Sequence, residues 1–375
     1  MEIKIRDFKK ILKTIGKVDG SGKLIFCFYD DNNFDIINSD LDKVIKYKHR
    51  VDENFDDTIA ERLVFEVDSC ISGIIDKISG DDSLKIELNG NSLSISKGRM
   101  NSNVSIKKDI VYNDIDDETK EFIFYIKKDI VKKSMEKTIT AVTKTDKIPE
   151  TMKCLCFKVK GEHGIMVGTD MSRLYTYNFA LDTADFVDQD FQYIIPAKNV
   201  AEIIRICDSV NDELCELYDS GGMLIFKFKN IDICVNVFSE EYKDYNRVLN
   251  YVIGEREVVV DGKVLKNMLQ PIIAFASSQI FATTVKLLFN PTEIVISSTS
   301  DRGNIKDVIE CSGNATNREI AFNGNILYDV ISHLSDDKIK FIFDDLETKP
   351  IKLVNNDGNI VDVIIPLQVM KTEED

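Results

Sequence analysis

The chain has three histidines, His49, His163 and His333, each more than a hundred residues from the next, so no local pair of imidazoles can seed a metal site. Cys154 and Cys156 form a C-x-C with His163 nearby. Residues 153–157 (Lys-Cys-Leu-Cys-Phe) alternate as a strand, which points both thiols to one face without supplying four ligands. The eight cysteines (Cys27, Cys70, Cys154, Cys156, Cys207, Cys215, Cys234 and Cys311) show no framework spacing and read as reduced core thiols. Gly16 to Lys23 has the look of a phosphate loop but is one residue too long, with Leu24 where a hydroxyl would meet magnesium, so it is a turn. Asp30, Asp31, Asn32, Asn33 and Asp35 are oxygen-rich but lack the sixth-position Gly and closing Glu of a calcium loop. The carboxylates that could serve a metal-dependent hydrolase, Asp30, Asp31, Asp344 and Asp345, fall in expected hairpin turns without histidine or lysine partners. There is no G-x-S-x-G, H-E-x-x-H or G-x-G-x-x-G. The expectation is no catalytic residue, no metal and no cofactor.

Composition narrows the class further. The 64 acidic and 48 basic residues leave a net charge of −16, which excludes a generically basic nucleic-acid binder. With 43% hydrophobic and 30% charged residues, 6 Pro and 18 Gly, the chain is an ordinary folded protein. Its start is charged and no apolar run approaches the roughly 18 residues of a membrane span, so a cytoplasmic protein with no membrane partner is expected.

At 375 residues the chain calls for more than one core, and the elements repeat in thirds. A short strand leads into an amphipathic helix three times: Ile3 to Ile5 before Phe8, Ile11, Leu12 and Ile15; Phe122 to Ile126 before Ile130, Val131, Met135 and Ile139; Val258 to Val260 before Leu265, Leu269 and Ile272. A second helix recurs around Ile71 to Ile78, Val200 to Cys207 and Ile326 to Leu334, each followed by a β-hairpin. In the clearest hairpin, Leu84, Ile86 and Leu88 alternate, Asn89-Gly90 turns, and Leu93 and Ile95 return. The expected architecture is α+β: three similar domains, each with two helices and antiparallel sheets, over residues 1–120, 121–251 and 252–375.

Val167-Gly168-Thr169-Asp170-Met171-Ser172-Arg173-Leu174 resembles the V-A-T-D-G-H-R-L turn of the bacterial DNA polymerase III beta subunit, the DNA sliding clamp in its cellular or phage-encoded form. Ile194 to Lys198 is similar to that family's I-I-P-R-K, Asp244 to Leu249 to its D-Y-R-R-V-L, Ala321 to Asp329 to its F-N-x-x-Y-L-L-D, and Val363 to Leu367 to its closing V-M-P-M. Leu93 to Arg99 resembles its L-x-I-x-S-G-R hairpin. Met171 and Ser172 stand where that pattern has Gly and His, and Lys243 where it has Pro.

The resemblance implies the DNA clamp fold, a head-to-tail dimeric ring with twelve helices on its inner wall. At 9 to 10 Å between axes, twelve helices give a circle roughly 35 Å across, wide enough for a duplex. It implies a non-enzymatic processivity factor whose partners are encircled double-stranded DNA, the replicative polymerase, a clamp loader and a second copy of the chain. The partner-peptide cleft maps onto Met152, Thr169, Arg173, Leu174, Arg247, Val248, Pro350, Val363 and Ile365, and the dimer interface onto Phe275 and Ala276. The six helical segments together carry +6 and the remaining residues −22, which suits a mildly basic bore in an acidic protein. Lys9, Lys10, Lys13, Lys132, Lys133, Lys137, Lys198 and Arg205 are the expected DNA-facing residues. The alternatives are a protein-interaction scaffold on the same fold that does not encircle DNA, and the hydrolase above.

Overall fold

A computed structural model describes the chain except residues 19, 31–32, 52–61, 81, 116–118, 143–148, 182–186, 239, 277–282, 301–302, 335–337, 346–348 and 369–375. The described residues form seven α-helices: α1 (Ile5–Ile15), α2 (Cys70–Lys77), α3 (Lys128–Ile139), α4 (Ala197–Ser209), α5 (Tyr245–Tyr251), α6 (Gly262–Ala276) and α7 (Gly324–Leu334). Six of them are the helices read from periodicity; α5 and a 3-10 turn at Glu150–Lys153 are additional. Among the described residues no helix is long and apolar enough to cross a membrane.

The chain forms two compact units. Unit 1 comprises residues 1–132, 182–188 and 198–239, and unit 2 comprises 133–181, 189–197 and 240–375. The described residues of each form one twelve-stranded sheet, antiparallel throughout its described pairings. In unit 1, Lys43–His49 pairs with Ile231–Asn236, with Val44 opposite Cys234, so strands nearly two hundred residues apart share a sheet. In unit 2, Arg173–Ala180 pairs likewise with Ile360–Ile364.

Local sequence accounts for the elements. In α1 the spaced Phe8, Ile11, Leu12 and Ile15 are all buried, leaving Lys10 and Lys13 outward. The helix stops at Gly16, whose φ of +82° suits a residue without a side chain and whose N–H bonds the Leu12 carbonyl at 3.1 Å. A Cβ there would also lie 2.8 Å from the Arg205 guanidinium, so the stretch with the look of a phosphate loop begins as a helix cap. The first strand ends one residue early, at Lys4, and Ile5 opens α1. The clearest hairpin pairs Asn89 with Ser92, which moves its two-residue turn to Gly90-Asn91, one residue beyond the expected place. Gly90, at φ +60°, takes the first turn position, where a positive φ matches the strand twist.

Six of the cysteines are buried free thiols, and burial pushes Cys27 up to about 11 and Cys156, Cys207 and Cys234 up to about 12. Cys311 is half-buried, and Cys70, expected in the core, is exposed at the start of α2.

Candidate functional site

Unit 2 carries a cavity of about 370 Å³ lined by Met152, Thr169, Met171, Arg173, Leu174, Tyr242, Lys243, Asp244, Tyr245, Arg247, Val248, Val363 and Ile365. Strand register builds its floor. Leu174 sits opposite Thr169 on one side and Val363 on the other, and the Ile365 N–H bonds the Ser172 carbonyl at 3.1 Å. Leu174, Val363, Tyr242 and Tyr245 also belong to a core cluster with Cys154, Cys156, Val167 and Ile194, so the floor is the upper surface of a packed core. Met152 comes from the 3-10 turn at Glu150–Lys153. Arg247 and Val248 come from α5, whose N-cap Asp244 accepts from the Asn246 N–H at 3.1 Å.

Eight of the nine cleft residues read from the sequence line this one cavity; Pro350 does not. Tyr242 and Tyr245 line it in addition, and their signal was the aromatic pair flanking Lys243-Asp244 at the start of α5. The floor is buried, whereas Val248 is 37% exposed, Ile365 47% and Met171 59%, so the mouth offers apolar surface to a ligand.

Arg173 does not stand free on the rim. Its Nε bonds Asp170 Oδ2 at 3.0 Å, Nη1 bonds Asp329 Oδ2 at 2.8 Å, and Nη2 donates to the Thr140 carbonyl at 3.0 Å. Burial disfavours its charge, but Tyr175, Asp329 and Asp170 more than offset this and keep the guanidinium protonated. Its role is to bind the 170–173 turn to α7. Beneath it, the Tyr175 ring stacks on His333 at 4.6 Å, and His333 Nδ1 lies 2.6 Å from Asp362 Oδ2. Asp362 is fully buried, and desolvation raises its pKa despite the His333 contact. Sequence reading missed this network; its one local trace is that Asp329 and His333 lie four apart on α7. Lys243 and Arg247 are the exposed cations at the mouth, and no ion pair engages them among the described residues.

The expected DNA-facing residues divide by what they touch. Lys10, Lys13 and Lys133 are exposed and carry no ion pair among the described residues. Lys9 donates to the Asp76 carbonyl at 2.8 Å, Lys198 pairs with Asp42 at 2.6 Å, and Lys132 pairs with Asp208. Lys137 donates to the His333 carbonyl at 2.7 Å. Arg205 pairs with Glu202 and donates to the carbonyls of Lys13 and Thr14, capping the C-terminus of α1. In unit 1, Lys9, Lys10, Lys13, Lys17 and Arg205 border one hollow with Asp76 and Glu202.

Of the two residues expected at a dimer interface, Ala276 is fully buried within the chain, so its methyl has no surface to give a partner, and Phe275 is half-buried. The hydrolase carboxylates are engaged in structural contacts. Asp30 accepts from Asn33 N–H and Nδ2, Asp345 forms a two-point pair with Arg256 at 2.8 Å, and Asp31 lies outside the described residues. Asp344, expected to lack a lysine, pairs with Lys349 at 2.8 Å. It also accepts from the N–H groups of Ile253, Gly254 and Glu255.

The central-domain model of the DNA polymerase III beta subunit matches residues 125–244 and its C-terminal-domain model residues 254–368, together more than half of the chain. The beta sliding clamp of Chlamydia pneumoniae is 24% identical over 211 residues, 54% of this chain and 54% of its own length, so that match spans about half of the relative. The beta sliding clamp of Proteus mirabilis is 20% identical over 262 residues, 70% of either chain. Among solved structures, a DNA polymerase III beta subunit from Thermotoga maritima superposes with a TM-score of 0.83 at 20% identity, covering 98% of this chain and 99% of that one. A sliding clamp from Bacillus subtilis does so at 0.85 and 20% identity, covering 98% of both. With two consecutive family models on its sequence and the matching fold along nearly its whole length, the chain belongs to the DNA polymerase III beta subunit family, the beta sliding clamps.

Proposed function

We propose that the protein is a non-enzymatic processivity factor: a head-to-tail homodimer of three-domain subunits (1–120, 121–251, 252–375) that encircles duplex DNA in the cytoplasm, is placed there by a clamp loader, and tethers the replicative polymerase. The observation that carries the tether is the cavity of unit 2, an apolar floor of Leu174 and Val363 with Val248, Ile365 and Met171 exposed at its mouth. Such a lining, with few polar anchors, fits a short extended peptide. Lys243 and Arg247 at the mouth favour a peptide that carries a carboxylate beside its apolar anchor. The net charge of −16 keeps the molecule from adhering to DNA, and the few uncommitted lysines give the weak, sequence-blind attraction that sliding requires.

Titration of a labelled peptide, a glutamine followed by hydrophobic residues, tests the tether. Burial of one leucine-sized anchor contributes about 1.5 to 3 kcal/mol, so two anchors support micromolar affinity after the ordering cost. Ile365→Asp, which puts a charge at the mouth without touching the core beneath, is expected to abolish binding while the fold is kept. Equal affinity for wild type and variant would place the partner site elsewhere.

A further inference from the structure

Met171 sits at the tip of the 170–172 turn with φ +73°, a left-handed backbone that costs a residue with a side chain and costs glycine nothing. The surrounding contacts impose that conformation. Thr169 Oγ1 accepts from the Met171 N–H at 3.2 Å, and Asp170 Oδ1 accepts from the N–H groups of Ser172 at 3.0 Å and Arg173 at 3.1 Å. Asp170 Oδ2 takes the Arg173 Nε, and Arg173 is itself held by Asp329 and the Thr140 carbonyl. Whatever residue occupies position 171 therefore adopts a positive φ, and glycine, which stands there in the family pattern, is the unstrained choice. Backbone strain kept in place by its surroundings clusters at ligand clamps and switch regions. The Met171 side chain lines the mouth of the cavity while 59% exposed, so it has apolar surface to lose when the cavity fills.

We propose that Met171 is a specificity-determining residue of the cleft, a flexible thioether that folds over the apolar anchor of a bound peptide and lets the cleft take anchors of different shape. This rests on the reading of the cavity as a peptide cleft. An unbranched, polarisable side chain with three rotatable bonds repacks against leucine, methionine or phenylalanine alike, which a glycine at the same place cannot do.

The test uses the full-length protein and a fluorescein-labelled peptide of the class above, made with Leu, Met or Phe at the anchor. Wild type is expected to bind all three within about threefold, and Met171→Gly to bind each about fivefold or more weakly, with a wider spread among them. The same variant should melt about 2 to 4 °C higher, because the strain is gone. Met171→Leu, which keeps an apolar cover on the same backbone, is expected to hold the Leu-anchored peptide within about threefold of wild type. Unchanged affinities in Met171→Gly would overturn the proposal, and so would equal losses in the Gly and Leu variants, since the effect would then belong to the turn. If wild type and Ile365→Asp bind alike, or neither binds, the cleft reading itself fails; loss in Ile365→Asp with no change in Met171→Gly refutes the role of Met171 alone.

Discussion

Asp344 and Arg173 illustrate how a residue's neighbours decide its chemistry. Asp344 is nearly fully buried, which by itself raises its pKa, yet Lys349 and the N–H groups of Gly254, Ile253 and Glu255 bring it down to about 2. Its folded value lies below that of a free carboxylate, so its contribution is present above about pH 4 and is lost as pH falls toward 2. Asp344→Asn is expected to cost about 2 kcal/mol in urea unfolding at pH 7 and close to nothing near pH 2; a cost independent of pH would show that the carboxylate charge is not what these contacts depend on. The lysine five residues on was visible in the sequence, but its pairing with Asp344 was not. Arg173 was legible as a cleft residue and not as an anchored one, because Asp329 is 156 residues away and no spacing rule reaches that far.

Elements with strong periodicity were read well, and those set by long-range contact were not. The buried stripes of α1, α6 and α7 coincide with the apolar spacing of the sequence. The short α5 has one buried residue, too few for a periodic signal, and is set by its Asp244 cap and by Tyr242 and Tyr245 in the core. Arg205 was read as a DNA contact from its charge, yet it closes the C-terminus of α1 from α4. Arg205→Ala is expected to lower stability by about 1 to 3 kcal/mol, since the α1 carbonyls and Glu202 lose a charged partner, and to leave the salt dependence of DNA binding unchanged. A reduced salt slope with full stability would return Arg205 to the DNA. His333→Leu is expected to cost about 3 to 5 kcal/mol by leaving Asp362 buried without its partner, measured as a fall in melting temperature. An unchanged melting temperature would remove the His333–Asp362 pair as a support of the strand that carries Val363.

In the molecule as a whole, helices and hairpins recur in the sequence in thirds, whereas the structure gathers them into two units. The joining of strands from different thirds into one sheet was not legible in the sequence, because pairings such as Val44 with Cys234 and Leu174 with Val363 depend on tertiary contact. The charge partition, +6 on the six helical segments read from the sequence against −22 elsewhere, is likewise a property of the whole chain. Of the expected basic contacts, Lys10, Lys13 and Lys133 are exposed without an ion pair among the described residues. Their joint replacement by alanine is expected to reduce the salt slope of DNA association by up to about one unit per lost phosphate contact. An unchanged slope would place all three on the outer surface. Encirclement of DNA can be measured by loading the protein on nicked circular DNA, then passing the complex through a sizing column before and after cutting the circle once. Protein is expected to stay with the circle and to leave on linearisation, at a salt concentration where contact with phosphates is negligible. Equal retention on circular and linear DNA, or none on either under conditions that load a known clamp, would show that the protein does not encircle DNA.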